Sequence, residues 1–298
     1  MGQKDIVEKK LEDYNDVFAD IVNVLVFGGG DRVQEDALED ADRVSQYKAD
    51  DSKLHEQERD VMKYWMDGDV RLAVCGIENQ TTVDAKMPVR IFGYEGADYR
   101  SQYKKTRISP VVTIVLYYGT ENRWDKPVDL VDLVNIPAGL EPYVNNCHAN
   151  VIDVAWIPDE LLGKFRSDFG IVANFFVNKR KDPKYIPDDP REIKHVDAML
   201  KFLRIMTGDG TYEQLLYNPK FQKEGANMCS IVQNLTEIGR EEGREEGLAE
   251  GRMEGRAEER RQIIQSFIEK GFDKDFVKSL GFSEEEYAQA EQSLLINA

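Results

Sequence analysis

The chain has 298 residues, 41% hydrophobic and 10% aromatic, enough for a packed core and too much for wholesale disorder. A formal net charge of −17 excludes a protein that coats nucleic acid through its overall field, so any such contact must use a local basic patch. Three cysteines (Cys75, Cys147, Cys229) without C-x-x-C spacing and three scattered histidines (His55, His148, His195) exclude a disulfide framework and a zinc-type centre.

The first residues lack the apolar core of a secretory signal, and no run approaches the ~20 apolar residues of a membrane span. A cytoplasmic chain without membrane contact is expected. Residues 4–27 predict a helix, with Val7, Leu11, Tyr14, Phe18, Ile21 and Leu25 at three- and four-residue steps, stopped by Gly28-Gly29-Gly30. Those glycines are not followed by Lys-Ser/Thr, so they match a phosphate loop poorly. Residues 31–58 are strongly polar; Asp36, Asp40, Asp50 and Asp51 read as a solvated charge run, since no calcium-loop spacing is present.

Asp67-Gly68 predicts a tight hairpin turn between a strand over 60–65 and an apolar strand that runs from Val70 to Ile77 and ends in Glu78-Asn79-Gln80. Side chains two apart on a strand share a face, which puts Glu78 with Gln80. An ideal two-residue turn sets Asp60 opposite Cys75, on the wrong face to meet Glu78, and a one-residue bulge restores the parity. Two converging carboxylates bind a hard cation such as Mg²⁺, which activates water and offsets charge on a phosphate. Asp60 and Glu78 are the candidate metal ligands, and Gln80 is the candidate for orienting water. Asp67 and Asp69 are rivals that the turn itself explains, and Asp84-Ala85-Lys86 is a rival that a helix cap explains.

Pro88 opens a predicted helix over 87–105, with Asp84 as its cap. Lys86, Arg90, Arg100, Lys104, Lys105 and Arg107 make this stretch locally basic; interleaved with tyrosines, they suit a DNA phosphate surface. The apolar runs over 108–118 and 149–157 predict buried central strands, and 159–179 and 190–206 predict helices. The fold class is therefore α/β, a mixed central sheet flanked by helices, with a core domain to residue 207 and a connecting segment over 208–238. Glycine recurs every fourth residue from Gly239 to Gly255 in an Arg/Glu-rich helix, followed by two short helices over 259–296. This tail, 239–298, is a candidate for homo-oligomer formation or a polar linker.

The order of these segments resembles the PD-(D/E)XK nuclease superfamily, and within it the bacterial recombination-promoting nucleases, also described as putative transposases. The resemblance lies in GIENQ (76–80), MPVRIFGYEGADYRSQ, PVVTIVLYYGTENRW (110–124), SDFG (167–170) and the C-terminal Glu/Gly/Arg repeat. It implies a restriction-endonuclease-like core and a Mg²⁺- or Mn²⁺-dependent DNA endonuclease with Asp60 and Glu78 on the metal. Gln80 would stand at the superfamily's lysine, and Asp20 or Asp16 on the first helix would be the assisting acid. Because glutamine carries no charge, the alternative is a catalytically weak or inactive DNA-binding or scaffolding protein derived from such a nuclease.

Overall fold

The structure is a computed structural model that describes residues 11–48, 54–208, 210–216 and 225–296. The chain divides into two compact units, Met1–Asn234 and Leu235–Ala298.

In the first unit, helix α1 (Asn15–Leu25) keeps Phe18 and Ile21 of the expected stripe buried, but the buried face is broader and turned, with Val17, Val22 and Val24 in it, while Tyr14 is exposed and Leu25 half-buried. Gly28, Gly29 and Gly30 follow it with positive φ, a backbone path that side chains resist and that carries the chain out of the helix. Residues 1–10, part of the helix expected over 4–27, lie outside the described residues.

The acidic stretch that the sequence presents as a charge run contains three short strands, β1 (Leu38–Asp40), β2 (Val44–Lys48) and β3 (Leu54–Glu58). β2 and β3 pair with each other in a separate two-stranded sheet. β1 joins the main sheet through backbone hydrogen bonds to its neighbour, which require no apolar alternation, and Asp40 forms an ion pair with the buried Lys63 amine. Asp50 and Asp51 lie outside the described residues.

β4 (Val61–Asp67) and β5 (Val70–Gln80) form the hairpin, and Asp67 pairs with Val70. The turn is therefore Gly68-Asp69, one residue later than predicted, with Gly68 at φ 54° in its first position. Helix α2 (Met87–Ser101) then crosses to β6 (Val111–Tyr117), which lies parallel to β5. β7 (Asn150–Asp153) is parallel to β6, and the strand order is β1-β4-β5-β6-β7. The sheet is thus mixed, changing from antiparallel to parallel at β5. β6 is central, as expected, but β7 is an edge strand of four residues that turns into a 3-10 segment over Val154–Trp156.

α2 covers one face of the sheet: Met87, Ile91 and Tyr94 pack with Val115 and Ala149. α1 lies on the other face, where Val22 shares an apolar pocket of about 230 Å³ with Cys75 and Ile114. The helix expected over 159–179 is broken into a single turn, α3 (Asp159–Leu162), and α4 (Phe169–Lys181). The break is fixed by Asp20, whose Oδ2 accepts the backbone N–H groups of Arg166 and Ser167 at 2.9 and 2.8 Å. α5 (Val196–Thr207) ends on Gly208 at φ 75°, and α6 (Thr211–Leu216) follows.

α7 (Met228–Glu269) is one helix of 42 residues that runs through all five repeat glycines. A Cβ added at Gly239, Gly243, Gly247, Gly251 or Gly255 would meet nothing within 4 Å, so the glycine stripe stands in open space. The first of the two short helices expected over 259–296 merges into α7; α8 (Lys274–Ser279) and α9 (Glu284–Ile296) complete the second unit. Asp273 caps α8 by accepting the Phe276 N–H at 2.9 Å, and Ile264, Val277 and Ala290 form this unit's small core. No described helix is long and apolar enough to cross a membrane.

Candidate active site

The position of the two acids follows from one extra residue. Between Trp65 and Met66 the β4–β5 register shifts: Met66 opposes Arg71 and Trp65 opposes Ala73, leaving Leu72 as a bulge. From there the pairing runs to Val61 opposite Ile77, and continuing it by one step places Asp60 opposite Glu78. Without the bulge, Asp60 would fall one residue out of step and the two carboxylates would face apart.

Asp60 and Glu78 are 6% and 2% exposed, which is unusual for carboxylates and demands partners. Asp60 Oδ2 accepts the Asn79 backbone N–H at 2.7 Å. Glu78 Oε1 accepts from Gln80 Nε2 at 3.2 Å and forms an ion pair with Arg90 of α2. Glu78 Oε2 is buried and has no hydrogen-bond partner. Burial, reinforced by the neighbouring Asp60 charge, pushes the Glu78 carboxyl up to about 8, against the pull of Arg90 and Arg59.

The chain entering β4 is pinned from three sides. Tyr94 donates its hydroxyl to Glu58 O at 3.0 Å, Arg43 accepts from Arg59 N at its carbonyl, and Arg43 Nη1 donates to Asp60 O at 3.1 Å. Arg59 itself is 1% exposed; its Nη1 lies 2.9 Å from Asp98 Oδ2 on α2, and its guanidinium sits 5.1 Å from the Tyr94 ring centre. It crosses β5 at Gly76, where a Cβ would lie 2.4 Å from Arg59 Cδ. Gly76 is therefore a glycine so that a buried arginine can tie α2 to the residue next to Asp60.

On the opposite face of β5, Asn79 Nδ2 donates to Glu12 Oε2 at 2.5 Å, and Tyr118 donates to Glu12 Oε1 at 2.9 Å. Glu12 is fully buried, just ahead of α1. The sequence offers no signal for Glu12 or Arg59: each stands in a charged stretch and gains its role from residues far along the chain. Asp20 is occupied with the 166–167 backbone, while Asp16 holds His195 Nε2 at 3.0 Å and Lys194 Nζ at 2.9 Å. The structure brings neither to the Asp60–Glu78 pair.

The six basic residues separate into two groups. Arg90 turns inward to Glu78, Asp84 and Tyr94. Lys86 is exposed near it, and Arg100, Lys104, Lys105 and Arg107 are exposed at the far end of α2 and in the loop beyond. Asp84 does not cap α2 as expected: Lys86 is the N-cap and has no side-chain cap bond, and Asp84 closes the turn before it, its Oδ1 accepting the Lys86 N–H at 2.8 Å. Asp67 and Asp69 lie at the hairpin tip.

Among the described residues no group of three or more His, Cys, Asp or Glu side chains forms a metal-binding cluster. What the donor set offers a cation is two carboxylates, one of whose oxygens, Glu78 Oε2, is orphaned, which suits a hard ion that keeps most of its waters. No curated protein and no solved structure matches the chain. Residues 68–175, from the hairpin turn into α4 and so including Glu78, Gln80 and Arg90 but not Asp60, match the family model described as putative transposase, YhgA-like, and over that stretch the resemblance read from the sequence is borne out.

Proposed function

We propose that this protein is a DNA endonuclease that depends on a divalent metal, Mg²⁺ or Mn²⁺, held by Asp60 and Glu78. The observation that carries the proposal is the bulge-set register, which opposes two buried carboxylates and leaves Glu78 Oε2 without a partner. Burial first, and the Asp60 charge beside it second, raise Glu78, and a cation is the natural relief for both. A bound metal would acidify a water and offset charge developing on the scissile phosphate.

The chain's own groups do the rest. Gln80, two residues beyond Glu78 on the same face, orients a water through its amide and carries no charge. Arg90 supplies the guanidinium that Gln80 lacks; it steadies Glu78 as a carboxylate and presents a fixed donor beside the acids. Asn79 fixes Asp60 through its backbone N–H.

A second reading has its own observation: Arg90 already occupies Glu78 Oε1, and an acid so neutralised suits a DNA-binding protein without turnover. Nicking of supercoiled plasmid in Mg²⁺ or Mn²⁺ separates the two. The nuclease reading expects the intact protein to nick and Glu78→Gln to lose at least about a hundredfold of that rate. Equal nicking by both proteins, or none by either in any divalent metal, overturns it.

A further inference from the structure

The outer face of α2 is chemically odd for a helix on a chain of charge −17. Phe92, Tyr99 and Tyr103 are 53%, 43% and 85% exposed. Phe92 and Tyr99, seven residues apart, share one side of the helix, and Tyr103 stands in the turn that follows the last helical residue, its N–H donating to Arg100 O at 3.1 Å. Between Phe92 and Tyr99 stands Gly96, where an added Cβ would meet nothing within 4 Å, so the space between those rings is open. Tyr99 is held ready: its hydroxyl oxygen accepts the Val111 N–H at 3.1 Å, fixing the ring while one side stays in solvent.

Around the rings the charge is all of one sign. Arg100, Lys104, Lys105 and Arg107 are exposed and form no ion pair among the described residues. The two acids of this helix are drawn in: Asp98 is tied to the buried Arg59, and Glu95 is half-buried, its carboxyl raised by that burial. A partner protein would meet a face too basic for an apolar seam, and a duplex keeps its bases stacked and out of reach of these rings. An unpaired strand offers what this face lacks, base faces for the rings and phosphates for the cations.

We propose that the outer face of α2 and the turn that follows it are a track for single-stranded DNA, with Phe92, Tyr99 and Tyr103 stacking on unpaired bases and Arg100, Lys104, Lys105 and Arg107 contacting phosphates. The proposal rests on DNA being the substrate. It deepens that reading by making the substrate a gapped, frayed or otherwise melted site. The helical part of the track rises about 18 Å from Val89, beside the arginine that holds Glu78, to Ser101, long enough for several nucleotides.

The test is fluorescence anisotropy of a labelled short oligothymidylate and of a blunt duplex of equal length, titrated with the full chain in EDTA so that cleavage plays no part. The expected result is tighter binding of the single strand, about a tenfold loss for Tyr103→Ala on that strand, little loss on the duplex, and recovery in Tyr103→Phe. Duplex bound as tightly as single strand overturns the track, as does Tyr103→Ala binding oligothymidylate like the wild type. Binding of an oligouridylate in place of oligothymidylate overturns DNA as the strand held. Tyr103-dependent binding with no cleavage in any metal leaves the track standing and removes the nuclease reading. Glu78-dependent nicking with Tyr103-independent binding does the reverse.

Discussion

The two ends of α2 put the same residue type to opposite uses. At its first turns Arg90 points inward, half-buried, and neutralises Glu78; at its last turn and beyond, Arg100, Lys104, Lys105 and Arg107 stand in water with no acid opposite. A charge turned inward is chosen by its partner and sets local geometry. A charge turned outward acts through a screened field and can be replaced with little structural consequence. Substitutions at the two ends should therefore separate stability from binding, and the comparison fails if they do not.

The largest effect belongs to Arg59, the buried cation between the two layers. Its removal leaves Asp98, already pushed upward by burial, without the charge that restrains it. Arg59→Ala is expected to destabilise the first unit by about 3–5 kcal/mol, since an uncompensated buried charge costs more than the pair contributed. Urea unfolding followed by tryptophan fluorescence measures this. A loss below about 1 kcal/mol would mean that the contact with Asp98 and the crossing at Gly76 do not hold α2 to the hairpin.

An intermediate effect is expected at Glu78, and its sign depends on pH. Folding raises this carboxyl from 4.5 to about 8. Its contribution to stability is complete below the unfolded value and is lost as pH rises through the folded one. Wild type should therefore lose stability relative to Glu78→Gln between about pH 5 and pH 8, read as melting temperature against pH. If the pair holds a divalent cation, adding Mg²⁺ at pH 8 should restore wild type and leave Glu78→Gln unmoved. Parallel pH profiles for the two proteins would mean that the acids are not coupled as their register implies.

These residues show what a sequence reveals and what it hides. Asp-Gly flanked by apolar runs announces the hairpin, and the Glu-x-Gln step fixes which side chains share a face; both are local rules. The bulge at Leu72 is not legible, because leucine there differs in no way from its neighbours and the extra residue is defined only against the partner strand. β1 escapes notice for a similar reason: Leu-Glu-Asp has no period to detect, and its pairing is made by backbone groups that every sequence carries. The six basic residues read as one surface because sequence spacing gives their proximity along the helix and not their direction. Glu78, on the strand before the helix, decides the direction of Arg90 through space. Arg59 is the extreme case, a charge beside a charge in the string whose burial depends on a glycine in β5 and an acid in α2.

The smallest structural effect, and the sharpest contrast with Arg59, is expected for Lys104. Its side chain is exposed and unpaired among the described residues, so Lys104→Ala should change stability by no more than about 0.5 kcal/mol. Its effect should appear in the salt dependence of oligothymidylate binding. Each phosphate contact removed lowers the slope of log affinity against log salt by about 0.7 on a single strand. Lys104→Ala and Lys105→Ala should each reduce that slope and together reduce it about twice as far, since exposed cations act nearly independently. Arg90→Ala should behave differently, changing stability and the pH profile of Glu78 while leaving the salt slope nearly intact, because its guanidinium is committed to a carboxylate. If Arg90→Ala lowered the slope as much as Lys104→Ala, the inward arginine would be a phosphate contact as well, and the division between the two ends of α2 would not hold.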